Sequence, residues 1–281
     1  MKLIKIHIGP PKTGTTTIQF LLDKYKNDIF IGAGSQKKDL SEKIRNFFIG
    51  GDDLILEEIH FAIVNLLDKN STLVYSDERV LMEYSEYENW KQHLNRLKEV
   101  FSIEGVKTEV IITIRNPADA LPSLYQQLKN IKWVSDITLQ EFINTRQAQI
   151  FNYFALEREI YQSGFDKIKY FDFNNLLEAN IDVSCFNING SITNVQPKNE
   201  SNKSNNARLY NYTAADLIRR NIGFLSFLFP NKFKIKVAKL LNINMRKEVF
   251  EADNVKIPKD MLNAFKTTKS HMIGKKDFDT D

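Results

Sequence analysis

The opening stretch of this chain constrains its fold more than any other. Leu3, Ile4, Ile6 and Ile8 form a short apolar run, and His7-Ile8-Gly9-Pro10-Pro11-Lys12-Thr13-Gly14-Thr15-Thr16-Thr17 leads from it into Ile18, Leu21, Leu22 and Tyr25 at helical spacing. The pattern predicts a strand over 2–8, a tight loop, and a helix over 15–26. Such a loop holds phosphate. Glycines let the backbone approach an anion, the unpaired N–H groups of the first helical turn point at it, and the helix dipole adds partial positive charge. Lys12 and the hydroxyls of Thr13, Thr15, Thr16 and Thr17 supply further donors. A nucleotide-phosphate site is expected here.

The rest of the chain alternates helix and strand signals. Asn27 to Gly51 reads as an irregular segment punctuated by Gly32, Gly34, Gly50 and Gly51, covering part of the cleft. A helical stripe over 54–68 precedes a strand at Thr72 to Ser76, whose end carries Asp77-Glu78-Arg79. Open parallel sheets place their ligands at such carboxyl ends. Trp90, Leu94, Leu97 and Phe101 give the next helix an apolar face, and Val110 to Ile114 is the continuous apolar run of a strand buried on both sides. Asn116 then serves as N-cap with Pro117 at the first helical position and Asp119 in the first turn. A long helical region is expected from Thr138 to Gln162, stopped by Gly164, and another strand over 168–173.

The fold class that follows is α/β: a central parallel sheet flanked by helices, P-loop-kinase-like, with a mainly helical C-terminal extension. Residues 1–185 are expected to form the nucleotide-binding core and residues 186–281 a loop and helical extension packed on it. Within that extension, 188–206 is rich in Asn, Ser and Lys and reads as a surface loop, 209–250 is helical in character, and the polar tail from about Lys266 is expected to fray.

Charge and composition narrow the partners. A formal charge of +4 suits anionic small ligands but is too small and dispersed for a nucleic-acid-binding protein. Cys185 is the single cysteine, and no His/Cys/Asp cluster has metal-ligand spacing, so neither an internal disulfide nor a metal is expected. Met1-Lys2 runs straight into the first strand without a separate apolar leader, and no apolar run is long enough to cross a bilayer, so a cytoplasmic location is expected. Within 222–240, Lys232, Lys234, Lys236 and Lys239 beside Phe227, Phe229 and Phe233 offer peripheral contact with an anionic membrane, against the plainer reading of packed aromatics and solvated lysines.

Set against the Walker A pattern GxxxxGK[ST], Gly9 and Gly14 have the right spacing and Thr16 takes the Ser/Thr position. The lysine slot, however, holds Thr15, and the lysine sits inside the loop at Lys12. A Walker lysine reaches the β- and γ-phosphates. A lysine in mid-loop sits instead beside the phosphate held at the helix N-terminus and the atom bonded to it.

His-Ile-Gly-x-Pro-Lys-Thr-Gly-Thr-Thr-x-x-Gln over His7 to Gln19 resembles the 5′-phosphosulfate loop of sulfotransferases that use 3′-phosphoadenylyl sulfate (PAPS). The second hallmark of that superfamily is a strand-end arginine with a serine eight residues on, gripping the 3′-phosphate. Arg115 and Ser123 stand in that relation, about two helical turns apart. Pro122 departs from the expectation by removing a helical hydrogen bond beside Ser123. The resemblance is to the bacterial, carbohydrate-type members. It implies PAPS as co-substrate without a metal, a carbohydrate or glycolipid acceptor, and cofactor contacts from Pro11, Lys12, Thr13, Gly14, Thr15, Thr16, Thr17, Arg115 and Ser123.

Sulfuryl transfer also needs stabilisation of the leaving nucleotide and a base for the acceptor hydroxyl. Lys12 is the natural stabiliser. Glu78 occupies a position similar to that of the catalytic histidine of cytosolic sulfotransferases, and the alternative place after the first helix, Ile31 to Gln36, has no acid. Asp77 is its neighbour, and a capping role for both carboxylates stays open. His7, on a central strand, is expected to be a hydrogen-bonded core residue. Lys203 and Arg208 are candidates to close over the nucleotide, weighed against a solvated loop. Two other classes use the same strand, loop and helix: an ATP-dependent small-molecule kinase with Ser76-Asp77 as its acid, and a non-catalytic nucleotide-binding protein.

Overall fold

The computed structural model describes residues 2–26, 28–51, 53–83, 89–130, 137–178, 180–188, 191–193 and 255–276. Among them five strands form one sheet: β1 (Lys2–Ile8), β2 (Phe30–Gly32), β3 (Thr72–Ser76), β4 (Val106–Ile114) and β5 (Lys167–Asp172). Their order is β2-β3-β1-β4-β5, and every neighbouring pair is parallel. All five carboxyl ends therefore lie along one edge. β1 is central, with Ile6 paired to Tyr75 on one side and Val110 on the other. Ile4, Ile6 and Ile8 are fully buried on one face of it, while Lys5 and His7 are buried on the other.

Those two polar residues stay buried because they are satisfied. Lys5 Nζ donates to the Cys185 carbonyl and to Asn187 Oδ1, each at 2.7 Å, and Glu109 faces it at 3.8 Å. His7 bonds Ser76 Oγ through Nδ1 at 2.8 Å and Thr113 Oγ1 through Nε2 at 2.7 Å, which joins the three central strands by side chains as well as by backbone. Phe186 packs edge-on against the His7 ring with centroids 5.2 Å apart. The expected core histidine is what the structure contains.

Helices α1 (Thr15–Lys26), α2 (Lys38–Gly50), α3 (Leu56–Lys69), α4 (Trp90–Phe101), α5 (Pro117–Asn130), α6 (Leu139–Ile143) and α7 (Tyr153–Gln162) connect or flank the strands. A two-stranded antiparallel ribbon, β6 (Asn180–Asp182) with β7 (Ser191–Thr193), follows, and the last described helix is α8 (Lys259–Lys276). Helix α5 begins as expected: Asn116 Oδ1 accepts from Ala118 N–H at 3.0 Å, and the helix continues through Pro122.

Three expectations need correction. Residues 27–51 are not irregular, because they contain β2 and α2. Ser41, Ile44, Phe47 and Phe48 form a buried helical stripe, and Gly51 closes the helix at φ 70° with its N–H on the Phe47 carbonyl. Gly32, Gly50 and Gly51 mark the ends of elements, and Gly34 lies in the turn between β2 and α2. The helical region 138–162 is broken into α6, a 3-10 turn over Gln147–Phe151, and α7, since Asn152 caps a new helix by accepting from Ala155 N–H at 3.3 Å. The tail does not fray at Lys266. α8 runs to Lys276, and Met261, Ala264, Phe265 and Thr268 are buried along it.

The chain divides into two compact units. The first comprises Met1–Leu124, Ile137–Lys198 and Lys256–Asp281, and contains both sheets and α8. The second comprises Tyr125–Asp136 and Asn199–Val255, of which the last part of α5 and Val255 are described. The expected helices of 209–250, the 222–240 segment, Lys203 and Arg208 lie outside the described residues.

Candidate active site

The loop after β1 is shaped by two left-handed residues. Lys12 has φ 73° and Gly14 φ 87°. Thr13 stabilises the turn between them, its N–H and its hydroxyl both donating to the Pro10 carbonyl, at 3.2 and 2.6 Å. A side chain at Gly9 would force the loop to shift, because a Cβ there would lie 2.7 Å from the hydroxyls of both Thr13 and Thr15. Gly14 is pressed against Leu176 and Phe173, at 2.5 and 3.0 Å from where its Cβ would sit. The helix then starts with Thr17 and Ile18 bonded back to the Gly14 carbonyl. The N–H groups of Gly14, Thr15 and Thr16 find no acceptor among the described residues. The buried Thr15 hydroxyl has no partner either. Unpaired donors converging at a helix N-terminus match an anion of phosphate type. Thr16 is exposed, whereas Pro11, Thr13 and Thr17 are buried in the loop and first turn.

At the end of β3 the two adjacent carboxylates take different environments. Asp77 is buried and held by Arg45, whose Nε and Nη2 reach Oδ2 at 2.8 and 2.7 Å. Its other oxygen accepts from Arg79 N–H at 2.9 Å, capping the 3-10 turn Glu78–Leu81. This spends Asp77 on structure. Glu78 has no ion pair among the described residues, and its carboxyl is pushed above the usual range by burial and by Asp77, with Lys12 pulling in the opposite sense. Lys12 in turn is held below the usual amine range by burial, with Glu78 raising it and Arg115 lowering it further. The two groups therefore sense one another across the site. Gln19 ties α1 to this corner by donating to the Ser76 carbonyl at 3.1 Å.

Arg115 follows β4. Its Nη1 donates to the Lys12 carbonyl at 2.7 Å, and its guanidinium lies over the Phe173 ring, 4.5 Å from the centroid. The lysine loop and the strand-end arginine, 103 residues apart in sequence, are thus joined directly. Ser123 sits half-buried on α5. Three residues that sequence reasoning did not single out complete this surrounding: Arg45, Phe173 and Tyr153, the last through its hydroxyl on the Arg115 backbone. Arg45 stands on the missed helix α2, and Phe173 follows a strand read only as apolar. A conspicuous signal existed for none of the three. No group of metal-ligating side chains occurs among the described residues, and no described helix is long and apolar enough to cross a membrane.

Fold and site together define an α/β protein with a loop of unpaired donors at the carboxyl edge of a parallel sheet, a lysine inside the loop and an arginine bonded to it. The sulfotransferase domain family matches residues 6–176, more than half the chain, and the protein belongs to that family. It is accordingly a transferase of the sulfotransferase type. Among solved structures, one described as the PezAT chromosomal toxin-antitoxin system of Streptococcus pneumoniae is similar at 14% identity, over 61% of this chain and 69% of that one, with a TM-score of 0.25. A likeness that loose carries no argument about fold or function. No curated protein matches the chain.

Proposed function

We propose that this protein moves the sulfuryl group of PAPS to an acceptor hydroxyl, on a carbohydrate or glycolipid of the bacterial surface. The observation that carries the donor is the bond from Arg115 Nη1 to the Lys12 carbonyl, which places a second cation beside a loop already built for one phosphate. A donor with phosphates at both ends of its ribose uses both. The unpaired N–H groups of 14–16 and the orphaned Thr15 hydroxyl fit an anionic donor group. The carbohydrate acceptor rests on the resemblance of the loop to bacterial members of the family.

In this reading Pro11 to Thr17 hold the 5′-phosphosulfate, while Arg115 and Ser123 hold the 3′-phosphate. PAPS supplies a sulfuryl group whose bond to the 5′-phosphate oxygen breaks as the acceptor oxygen bonds sulfur. Lys12 stabilises the negative charge left on the nucleotide. Glu78 accepts the proton of the acceptor hydroxyl, and its raised pKa makes it a better base than an ordinary carboxylate. Asp77, locked by Arg45, holds the turn that carries Glu78.

Isothermal titration tests the donor. Adenosine 3′,5′-diphosphate is expected to bind without Mg²⁺, and binding of Mg-ATP with no affinity for the diphosphate would overturn the proposal in favour of a kinase. Sulfate transfer from labelled PAPS to a panel of glycans tests the acceptor. Lys12→Ala is expected to abolish that transfer with little change in melting temperature, since burial already disfavours the Lys12 ammonium.

A further inference from the structure

Arg115 lies just past the end of both of its sheet ladders. β4 pairs with β1 up to Ile112 and with β5 up to Ile114, and the first bonds of α5 use the Asn116 carbonyl. The N–H and C=O of Arg115 are therefore left to neither strand nor helix. Buried backbone groups in that position need a partner. A single side chain provides it for both. Arg115 N–H donates to Tyr153 Oη at 2.9 Å, and the Tyr153 hydroxyl donates to the Arg115 carbonyl at 2.8 Å.

Tyr153 is itself fixed. It is the first residue of α7, fully buried, and its ring tilts against Phe265 of α8 with centroids 6.2 Å apart. Asn152, which caps α7, donates to Asp260 of α8 at 2.9 Å. The Arg115 peptide is thus referenced to two helices, while its guanidinium rests on Phe173 and the Lys12 carbonyl.

We infer that Tyr153 is a positioning residue for the nucleotide's 3′-phosphate: by clamping both backbone groups of Arg115 through one hydroxyl, it holds the guanidinium at the distance and angle that select a 3′-phosphorylated nucleotide over its 5′-only counterpart. This rests on the reading of Arg115 given above. The Phe side chain keeps the ring and its packing on Phe265 but removes the hydroxyl, so Tyr153→Phe frees the peptide without emptying the core. A guanidinium displaced by a fraction of an ångström loses bidentate geometry, which is where its discrimination resides.

The readout is the ratio of affinities for adenosine 3′,5′-diphosphate and adenosine 5′-monophosphate, measured by titration. Tyr153→Phe is expected to lower that ratio by about tenfold, chiefly through weaker binding of the diphosphate, the scale of one charge-assisted contact. A residue that merely supported the fold would weaken both ligands alike, leaving the ratio unchanged, and that result overturns the inference. Arg115→Ala separates the two readings. If it leaves the ratio intact, the assignment of Arg115 to the 3′-phosphate has failed; if it collapses the ratio while Tyr153→Phe does not, only the role of Tyr153 has. Should Tyr153→Phe not fold, Phe265→Leu loosens the ring with the hydroxyl retained and is expected to lower the same ratio by about threefold; an unchanged ratio counts against the inference there too.

Discussion

At the scale of single residues, the site turns on how burial and neighbours treat adjacent or facing groups. Asp77 and Glu78 are chemically near-equivalent, yet Arg45 and Arg79 occupy one of them fully. Glu78→Gln is expected to lower turnover by about 10²- to 10⁴-fold while sparing nucleotide binding. The pH profile gives the sign: the Glu78 carboxyl titrates above 4.5, so wild-type turnover falls as pH drops through that raised value, and the acidic limb disappears in the variant. Normal turnover by the Gln variant would move the base elsewhere. His7 makes a second prediction, about stability. Burial lowers its pKa from 6.5 to about 3, so it folds neutral and binds a proton only when unfolded. That contribution is complete above 6.5 and lost as pH falls from there toward 3, at about 1.4 kcal/mol per unit. Urea midpoints from pH 7.5 to 4.5 check it, and His7→Gln is expected to start lower but to lose less on acidification.

At the scale of elements, the strand-to-helix loop is where local chemistry and packing meet. Gly14 combines φ 87° with a side that touches Leu176 and Phe173. Gly14→Ala is expected to destabilise the protein by about 2 kcal/mol or more, and to weaken nucleotide binding because the loop must shift. Urea denaturation and titration read the two effects separately. Much at this scale is legible in the chain: the bounds of β1, α1 and β3 and the apolar face of α4 follow from periodicity and from the residues at their ends. What periodicity hides is interruption. The apolar spacing of 138–162 is helical throughout, but the side chain of Asn152 competes for backbone donors and restarts the helix at Tyr153. In 27–51 the glycines are more visible than the stripe of Ile44, Phe47 and Phe48 between them.

At the scale of the whole molecule, the C-terminal helix returns to the first unit. α8 buries Met261, Ala264, Phe265 and Thr268, and Lys269 pairs with Asp172 at the end of β5 at 2.9 Å. Each large apolar side chain buried stabilises by about 1.5–3 kcal/mol. A chain ending at Val255 is therefore expected to melt at least several degrees lower than the full chain in a thermal scan. Unchanged melting would mean that α8 contributes nothing to the stability of the unit it packs in.

The sequence by itself determined the strand, glycine loop and helix of residues 2–26, the parallel α/β class and the start of α5 at Asn116, because each depends on groups within a few residues: a tight turn, a cap, a spacing of apolar side chains. Tertiary structure alone decided which carboxylate is left uncommitted, what the guanidinium of Arg115 rests on and what clamps its backbone. Those depend on Arg45 reaching Asp77 across 32 residues and Tyr153 reaching Arg115 across 38, contacts made only when the strand order β2-β3-β1-β4-β5 brings five carboxyl ends to one edge.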